Sequence, residues 1–131
     1  MIVIDASAVL ELLLGTDRAE PIASRALAAE ERLHAPHLLD IEIAQALRRL
    51  VKLKDLTAPR AKLALDDYSA LFIQRYAHGE FLKRIWQLRD SVTAYDGAYI
   101  ALSEALNAPL LTCDGKLGRS HGHHAKIEVI E

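Results

Sequence analysis

Hydrophobic residues open the chain as a block, MIVI, which meets a carboxylate at Asp5 before apolar positions resume in SAVLELLL. A run that is apolar on both faces is the pattern of a strand buried inside a parallel sheet, and 1–4 is read as one. Residues 7–14 repeat on a helical period and stop at Gly15, a residue type that ends helices in the left-handed conformation. A second helix is expected over 18–31, with Pro21 tolerated in its first turn. LHAP, at 33–36, reads as a very short strand cut off by Pro36. From Leu38 to Leu53 a single stripe of Leu39, Ile43, Ala46, Leu47, Leu50 and Leu53 marks an amphipathic helix. Another helix follows over 58–69, and LFIQRY at 71–76 fits either a short strand or a helix tail. The spacing in EFLKRIWQLR, 80–89, is helical. Thr93 and Asp96 have the spacing of a capping box, and the helix they open runs to Leu106 on Tyr95, Tyr99, Leu102 and Leu106. PLLT is a second wholly apolar strand, running toward Asp114, and KIEVI closes the chain as a last one.

Short strands alternating with helices predict one α/β domain over 1–131, with a mostly parallel central sheet of about five strands between helices. At 131 residues a single core suffices without covalent staples. The one cysteine, Cys113, rules out an intrachain disulfide and fits a reducing, cytoplasmic setting. No targeting segment and no stretch of membrane-spanning length is visible. The formal charge of -2 argues on its face against a nucleic-acid partner. Yet RRLVKLKDLTAPRAK, 48–62, is strongly basic while 17–31 leans acidic, so a basic ridge beside an acidic pocket is compatible with that sum.

The opening pattern recurs: MIVI leads to Asp5 and PLLT leads through Cys113 to Asp114. In parallel α/β sheets, ligands bind outside the carboxyl ends of the strands. Glu42 lies at the margin of its helix's apolar stripe and so is directed along the protein body, whereas Asp40 faces away from it. Asp96 sits in a first helical turn, where the helix dipole favours an anion. Each acid also has an ordinary reading, as cap, turn residue or solvated side chain; it is their joint placement that points to chemistry. Two carboxylates 4 Å apart repel by about 4 kcal/mol at an effective dielectric of 20. A converging quartet therefore needs protons or a divalent cation, and all-oxygen ligands suit Mg²⁺ or Mn²⁺.

The set D-x-S after the first strand, a Glu near position 40, TAYDGAYIAL and LLTCD, in this order, resembles the PIN-domain ribonucleases. More narrowly it is similar to the VapC toxins of type II toxin–antitoxin systems, and the likeness spans essentially the whole chain. The resemblance implies a PIN-like three-layer domain and a Mg²⁺- or Mn²⁺-dependent endoribonuclease hydrolysing phosphodiester bonds in RNA, with tRNA or rRNA as candidate substrates. It also implies a homodimer, a cognate VapB-type antitoxin and a toxin–antitoxin hetero-oligomer. Position by position, the catalytic and metal-binding acids fall on Asp5, Glu42, Asp96 and Asp114. The hydroxyls that orient them fall on Ser7 and Thr112. Gly97 stands where the family often has Ala, and Lys116 stands where some members carry a fifth acid.

Arg48, Arg49, Lys52 and Arg89 are candidate RNA-phosphate contacts, Arg49 sharing the azimuth of Glu42. The HGHH cluster at 121–124 lacks a completing ligand and reads as a solvated loop. Cys113 reads as a small buried residue. Phe72, Trp86, Tyr95 and Tyr99 fall at core-like positions, so no stacking platform for bases is expected. The alternatives are a non-catalytic module of the same fold that binds a partner protein and a metal-dependent phosphatase. The phosphatase pattern wants a second Asp where Ser7 stands.

Overall fold

The computed structural model describes all of residues 1–131. Five strands form one sheet: β1 (Ile2–Ile4), β2 (Leu33–Pro36), β3 (Ile73–Tyr76), β4 (Leu110–Thr112) and β5 (Ile127–Val129). Their order across the sheet is β3-β2-β1-β4-β5, and every neighbouring pair is parallel. The expected sheet of about five strands is thus present and wholly parallel, and 71–76 contributes a strand. Parallel pairing needs cover on both faces. Seven α-helices supply it: α1 (Ala6–Leu14), α2 (Ala19–Ala26), α3 (Leu38–Lys52), α4 (Ala58–Ala70), α5 (Leu82–Gln87), α6 (Ala94–Leu106) and α7 (Gly115–Gly118). Helix α1 packs against α2, α3 and α4, while α6 lies across β1, β2 and β4 with α5 against it.

The apolar runs behave as their patterning requires. Ile2, Val3 and Ile4, together with Leu110 and Leu111, are completely buried. Residues Gly97–Ser103 of α6 are all buried as well, which is the expected state of a helix without a polar face. From β1 the chain builds outward through β2 and β3, then returns to lay β4 on the other side of β1. The point where the strand order reverses therefore lies between β1 and β4, at whose carboxyl ends Asp5 and Asp114 stand. Ile4 pairs with Leu111, and the Asp5 N–H donates to the Leu111 carbonyl at 3.2 Å. These strand ends are thus fixed side by side.

Several boundaries differ from the pattern-based expectation. Helix α2 ends at Ala26 rather than near 31. Arg25 in its last turn binds Glu128 at 2.8 Å and Glu31 at 3.0 Å, and the chain reverses between them to enter β2. Residues 80–89 divide into a 3-10 turn (Gly79–Phe81) and the short α5. Phe72, Trp86 and Tyr95 are exposed, at 91%, 68% and 63%, and only Tyr99 of the four aromatics is in the core. On the six-residue α5, Ile85 and the following Leu88 point inward, which leaves Trp86 outside. The apolar stripe of α3 is buried only at Leu39, Ile43 and Leu47. A 15-residue helix is about 22 Å long, whereas strands of three or four residues span about 13 Å at most. Leu50 and Leu53 accordingly overhang the sheet. Cys113 is partly exposed rather than buried.

Candidate functional site

Asp5 ends β1 and caps α1. Its Oδ1 accepts from the Ser7 hydroxyl at 2.6 Å and from the Ala8 N–H at 3.1 Å, and its Oδ2 accepts from the Thr112 hydroxyl. Ser7 Oγ in turn accepts from the Cys113 N–H at 2.9 Å, and Thr112 Oγ1 from the Asp114 N–H at 3.0 Å. Two hydroxyls therefore tie the ends of β1 and β4 together around one carboxylate. Asp5 is 7% exposed. Burial pushes its pKa above the ordinary value, with Asp114 adding repulsion, although three hydrogen bonds favour the charged form.

Glu42 projects from α3 and accepts a 2.5 Å hydrogen bond from the hydroxyl of Tyr99 on α6. Burial raises its pKa, and Asp5 and Asp96 raise it further. Asp96 lies in the first turn of α6. Its N–H donates to the Thr93 side chain at 3.1 Å, which makes the first half of the capping box. Its carboxylate is pushed up by burial, then by Asp114 and Asp5, with the Thr93 hydroxyl acting in the opposite direction. Asp114 caps the four-residue α7, accepting from the Lys116 N–H at 2.9 Å. The structure thus gathers Asp5, Glu42, Asp96 and Asp114 around the reversal point, close enough to perturb one another.

None of the four takes part in an ion pair. Glu11, Glu31, Asp40, Asp66, Glu104 and Glu128 all do. Asp40, as anticipated, faces away from the site and is held by Arg75 at 2.8 Å and by Tyr68. As the side chains stand, no three acid, histidine or cysteine groups form a ready-made cage for an ion. The Asp5 and Glu42 oxygens are instead turned toward hydroxyls. A carboxylate oxygen that accepts one hydrogen bond keeps a second lone pair. The donor set is all oxygen, its negative charges are mutually repelling and none of them is paired with a cation of the chain. That chemistry fits a hard divalent cation held by Asp5, Glu42, Asp96 and Asp114.

Two grooves flank the acids. A polar cleft of about 540 Å³ adjoins Asp96 and Asp114 and is lined by Arg89, Thr93, Lys116, Arg119, Ser120 and His121 among others. An apolar groove of about 750 Å³ borders Glu42 and Arg49 and is walled by Ala6, Leu10, Ile41, Leu50, Leu53 and Tyr95. Of the cations singled out from sequence, Arg89 lines the polar cleft and Arg49 the apolar groove, while Arg48 and Lys52 line neither. Arg119 was not anticipated as part of the site, and Lys116 was singled out only as standing where some members carry a fifth acid, not as a cation of the cleft. Their position depends on α7, a turn too short to leave a periodic signal. Tyr99 was read only as a core residue, yet it follows Asp96 by three positions and so shares its side of the helix. In the HGHH segment, His123 bonds Ser120 at 2.8 Å and His124 pairs with Glu104 at 2.9 Å, so the histidines are used singly. Burial pushes the Cys113 thiol up to about 11, which disfavours its thiolate at neutral pH.

A parallel sheet with uncompensated carboxylates at its reversal point is the setting in which the family becomes recognisable. Residues 2–120 match the PIN domain, and the chain belongs to that family. Within it, the relatives are VapC ribonucleases. Ribonuclease VapC12 of Mycobacterium tuberculosis is 40% identical over 130 residues, covering 99% of both chains. VapC ribonuclease Mb0985 of Mycobacterium bovis is 43% identical, covering 99% of this chain and 98% of its own. The fold also matches the crystal structure of VapBC2 from Rickettsia felis bound to a DNA fragment from their promoter. There the TM-score is 0.73 at 14% identity, with 100% of each chain covered.

Proposed function

We propose that the chain is a VapC-type toxin, a metal-dependent endoribonuclease that hydrolyses RNA phosphodiester bonds at Asp5, Glu42, Asp96 and Asp114. The observation that carries this reading is the set of four neighbouring carboxylates without a single ion-pair partner, at the sheet's reversal point. A bound Mg²⁺ or Mn²⁺ supplies Lewis-acid activation of water and of the phosphodiester.

The chain's own residues do the rest. Ser7 and Thr112 hold the Asp5 carboxylate in one orientation, and Tyr99 holds that of Glu42. Such bonds fix a ligand before the substrate arrives, which reduces the reorganisation needed on binding. Arg89, Lys116 and Arg119 give the polar cleft the charge to receive RNA phosphates beside Asp96 and Asp114. Water attacking in line with the leaving 3′-oxygen breaks the P–O3′ bond, giving 5′-phosphate and 3′-hydroxyl ends; 2′,3′-cyclic phosphate ends on the products would contradict this route.

A toxin of this type needs an inhibitor, and the VapBC2 neighbour supports a VapB-type antitoxin as partner. The apolar groove, ending at Glu42, suits an antitoxin segment that lays a basic side chain toward the carboxylates. A homodimer and a hetero-oligomer with the antitoxin complete the proposed assembly. No helix is long and apolar enough to cross a membrane.

The test is cleavage of purified tRNA by wild type and by Asp96→Asn, each with Mg²⁺, with Mn²⁺ and with EDTA. Discrete fragments from wild type alone, and only with metal, are expected. Equal cutting by both proteins would assign the activity to a contaminant. No cleavage of tRNA or rRNA, together with no metal binding, would leave the reading of a non-catalytic interaction module.

A further inference from the structure

Resting on the reading of the polar cleft as the path of the RNA, we propose that Trp86 and Arg89 form a nucleotide-binding subsite at its rim. In this subsite a base stacks on the indole while the guanidinium holds the adjoining phosphate.

The chain's one tryptophan is 68% exposed on α5. A large aromatic ring left in water forgoes the burial that normally stabilises it, and exposed aromatics are a common feature of binding surfaces. The Arg89 guanidinium carbon sits 4.7 Å from the centre of that ring, and its Nη1 donates to the Trp86 carbonyl at 2.9 Å. Stacking and hydrogen bond together fix a side chain that would otherwise sample many rotamers. Less ordering entropy is then lost when it engages a ligand.

Arg89 also lines the cleft that contains Asp96 and Asp114. The residue that carries the cation on the indole is thus also a wall of the proposed cleavage site. Arg89 makes no ion pair within the chain, and the one hydrogen bond of its guanidinium is to the Trp86 carbonyl, so its remaining N–H groups are available to a phosphate.

An arginine stacked on an indole beside a polar cleft has the two elements single-stranded nucleic acid requires: a π-surface for a base and a charge for its backbone. Recognition through a ring face tolerates any base, so this subsite supports strand binding in general and prefers large bases only mildly. A protein surface is the competing use of an exposed tryptophan, particularly because Leu82, four residues earlier on α5, is also exposed. Arg89 shares the polar cleft with Lys116 and Arg119 beside Asp96 and Asp114, and that favours RNA.

The experiment uses the full chain carrying Asp96→Asn, so that RNA is bound but not cut. A single-stranded RNA 12-mer labelled at one end is titrated in, with label anisotropy reporting binding and indole emission reporting contact at Trp86. Emission is expected to quench in step with the anisotropy. Trp86→Ala should weaken binding by roughly tenfold or more, with Trp86→Phe retaining most of the affinity. Arg89→Ala should weaken binding and lower the salt slope by about one.

Binding without a change in emission, or unchanged affinity in Trp86→Ala, would overturn the subsite while leaving the ribonuclease reading intact. A Trp86→Ala chain that changes oligomeric mass in light scattering while binding RNA normally would assign the ring to a protein contact instead. No RNA binding by any form of the chain would overturn both.

Discussion

Replacing Tyr99 with Phe removes one hydroxyl from a fully packed position and so isolates its bond to Glu42. Tyr99 is 1% exposed, and its hydroxyl donates to Glu42 Oε1 at 2.5 Å. The substitution preserves the ring and leaves little cavity, so the cost is that of a hydrogen bond to a charged group, about 1.5 to 3 kcal/mol. Glu42 is only half-buried, so water partly replaces the lost donor and the lower end of that range is expected. For a chain of this length that is a fall of about 6 °C in Tm. Equilibrium urea unfolding of Tyr99→Phe in two backgrounds, wild type and Glu42→Ala, separates the bond from other effects. In the Glu42→Ala background the hydroxyl has no acceptor, and removing it should cost less than about 0.5 kcal/mol. The coupling energy should therefore be at least about 1 kcal/mol. An equal loss in both backgrounds would show that Tyr99 stabilises the core without holding Glu42.

Asp96→Asn keeps the shape of the side chain while removing one repelling charge. Two carboxylates about 7 Å apart repel by about 2 kcal/mol at an effective dielectric of 20, so the metal-free variant should melt above wild type and gain less from added Mn²⁺. A lower Tm without metal, or undiminished stabilisation by Mn²⁺, would contradict the placement of Asp96. Gly97→Ala should stabilise by about 0.5 to 1 kcal/mol through helix propensity, because the added Cβ would lie 3.4 Å from Ile85 Cγ2, an ordinary contact. A reduced urea midpoint would reveal tighter packing between α5 and α6. The hydrogen-bonded Arg84 guanidinium holds Glu104 below the usual carboxylate range. Its contribution is thus full above the unfolded pKa and lost as pH falls through the folded one. Arg84→Met should flatten the acid limb of stability below about pH 5, and an unchanged limb would show that the pair is not a source of acid sensitivity.

The parts of this fold that repeat on a clear period were legible in the sequence. Both apolar strands that end near carboxylates, the α3 and α6 helices and the mostly parallel character of the sheet followed from runs, stripes and their alternation; that every pair is parallel is the structure's addition. The gathering of Asp5 and Asp114 followed from the rule that strand ends carry ligands. What the pattern missed depends on contacts between distant segments. Helix α2 ends early at Ala26, beside a contact of Arg25 with Glu128, more than a hundred positions away, that local patterning does not register. The exposure of Trp86 depends on which side of a six-residue helix meets α6, and an apolar residue count does not encode that choice. Lys116 and Arg119 enter the cleft through a single turn after Asp114. Tyr99, read from its spacing as core, is indeed core, but its hydroxyl has a second role that burial patterning does not register.

The most direct examination of the acidic site is a Mn²⁺ titration followed by electron paramagnetic resonance, which reads free ion without requiring a known RNA substrate. Wild type should take up Mn²⁺, and Asp5→Asn and Asp114→Asn should each bind it at least about tenfold more weakly while Asp40→Asn binds as wild type. Wild type that leaves all of the Mn²⁺ free, or Asp5→Asn and Asp114→Asn variants that bind it undiminished, would contradict a metal centre at these carboxylates.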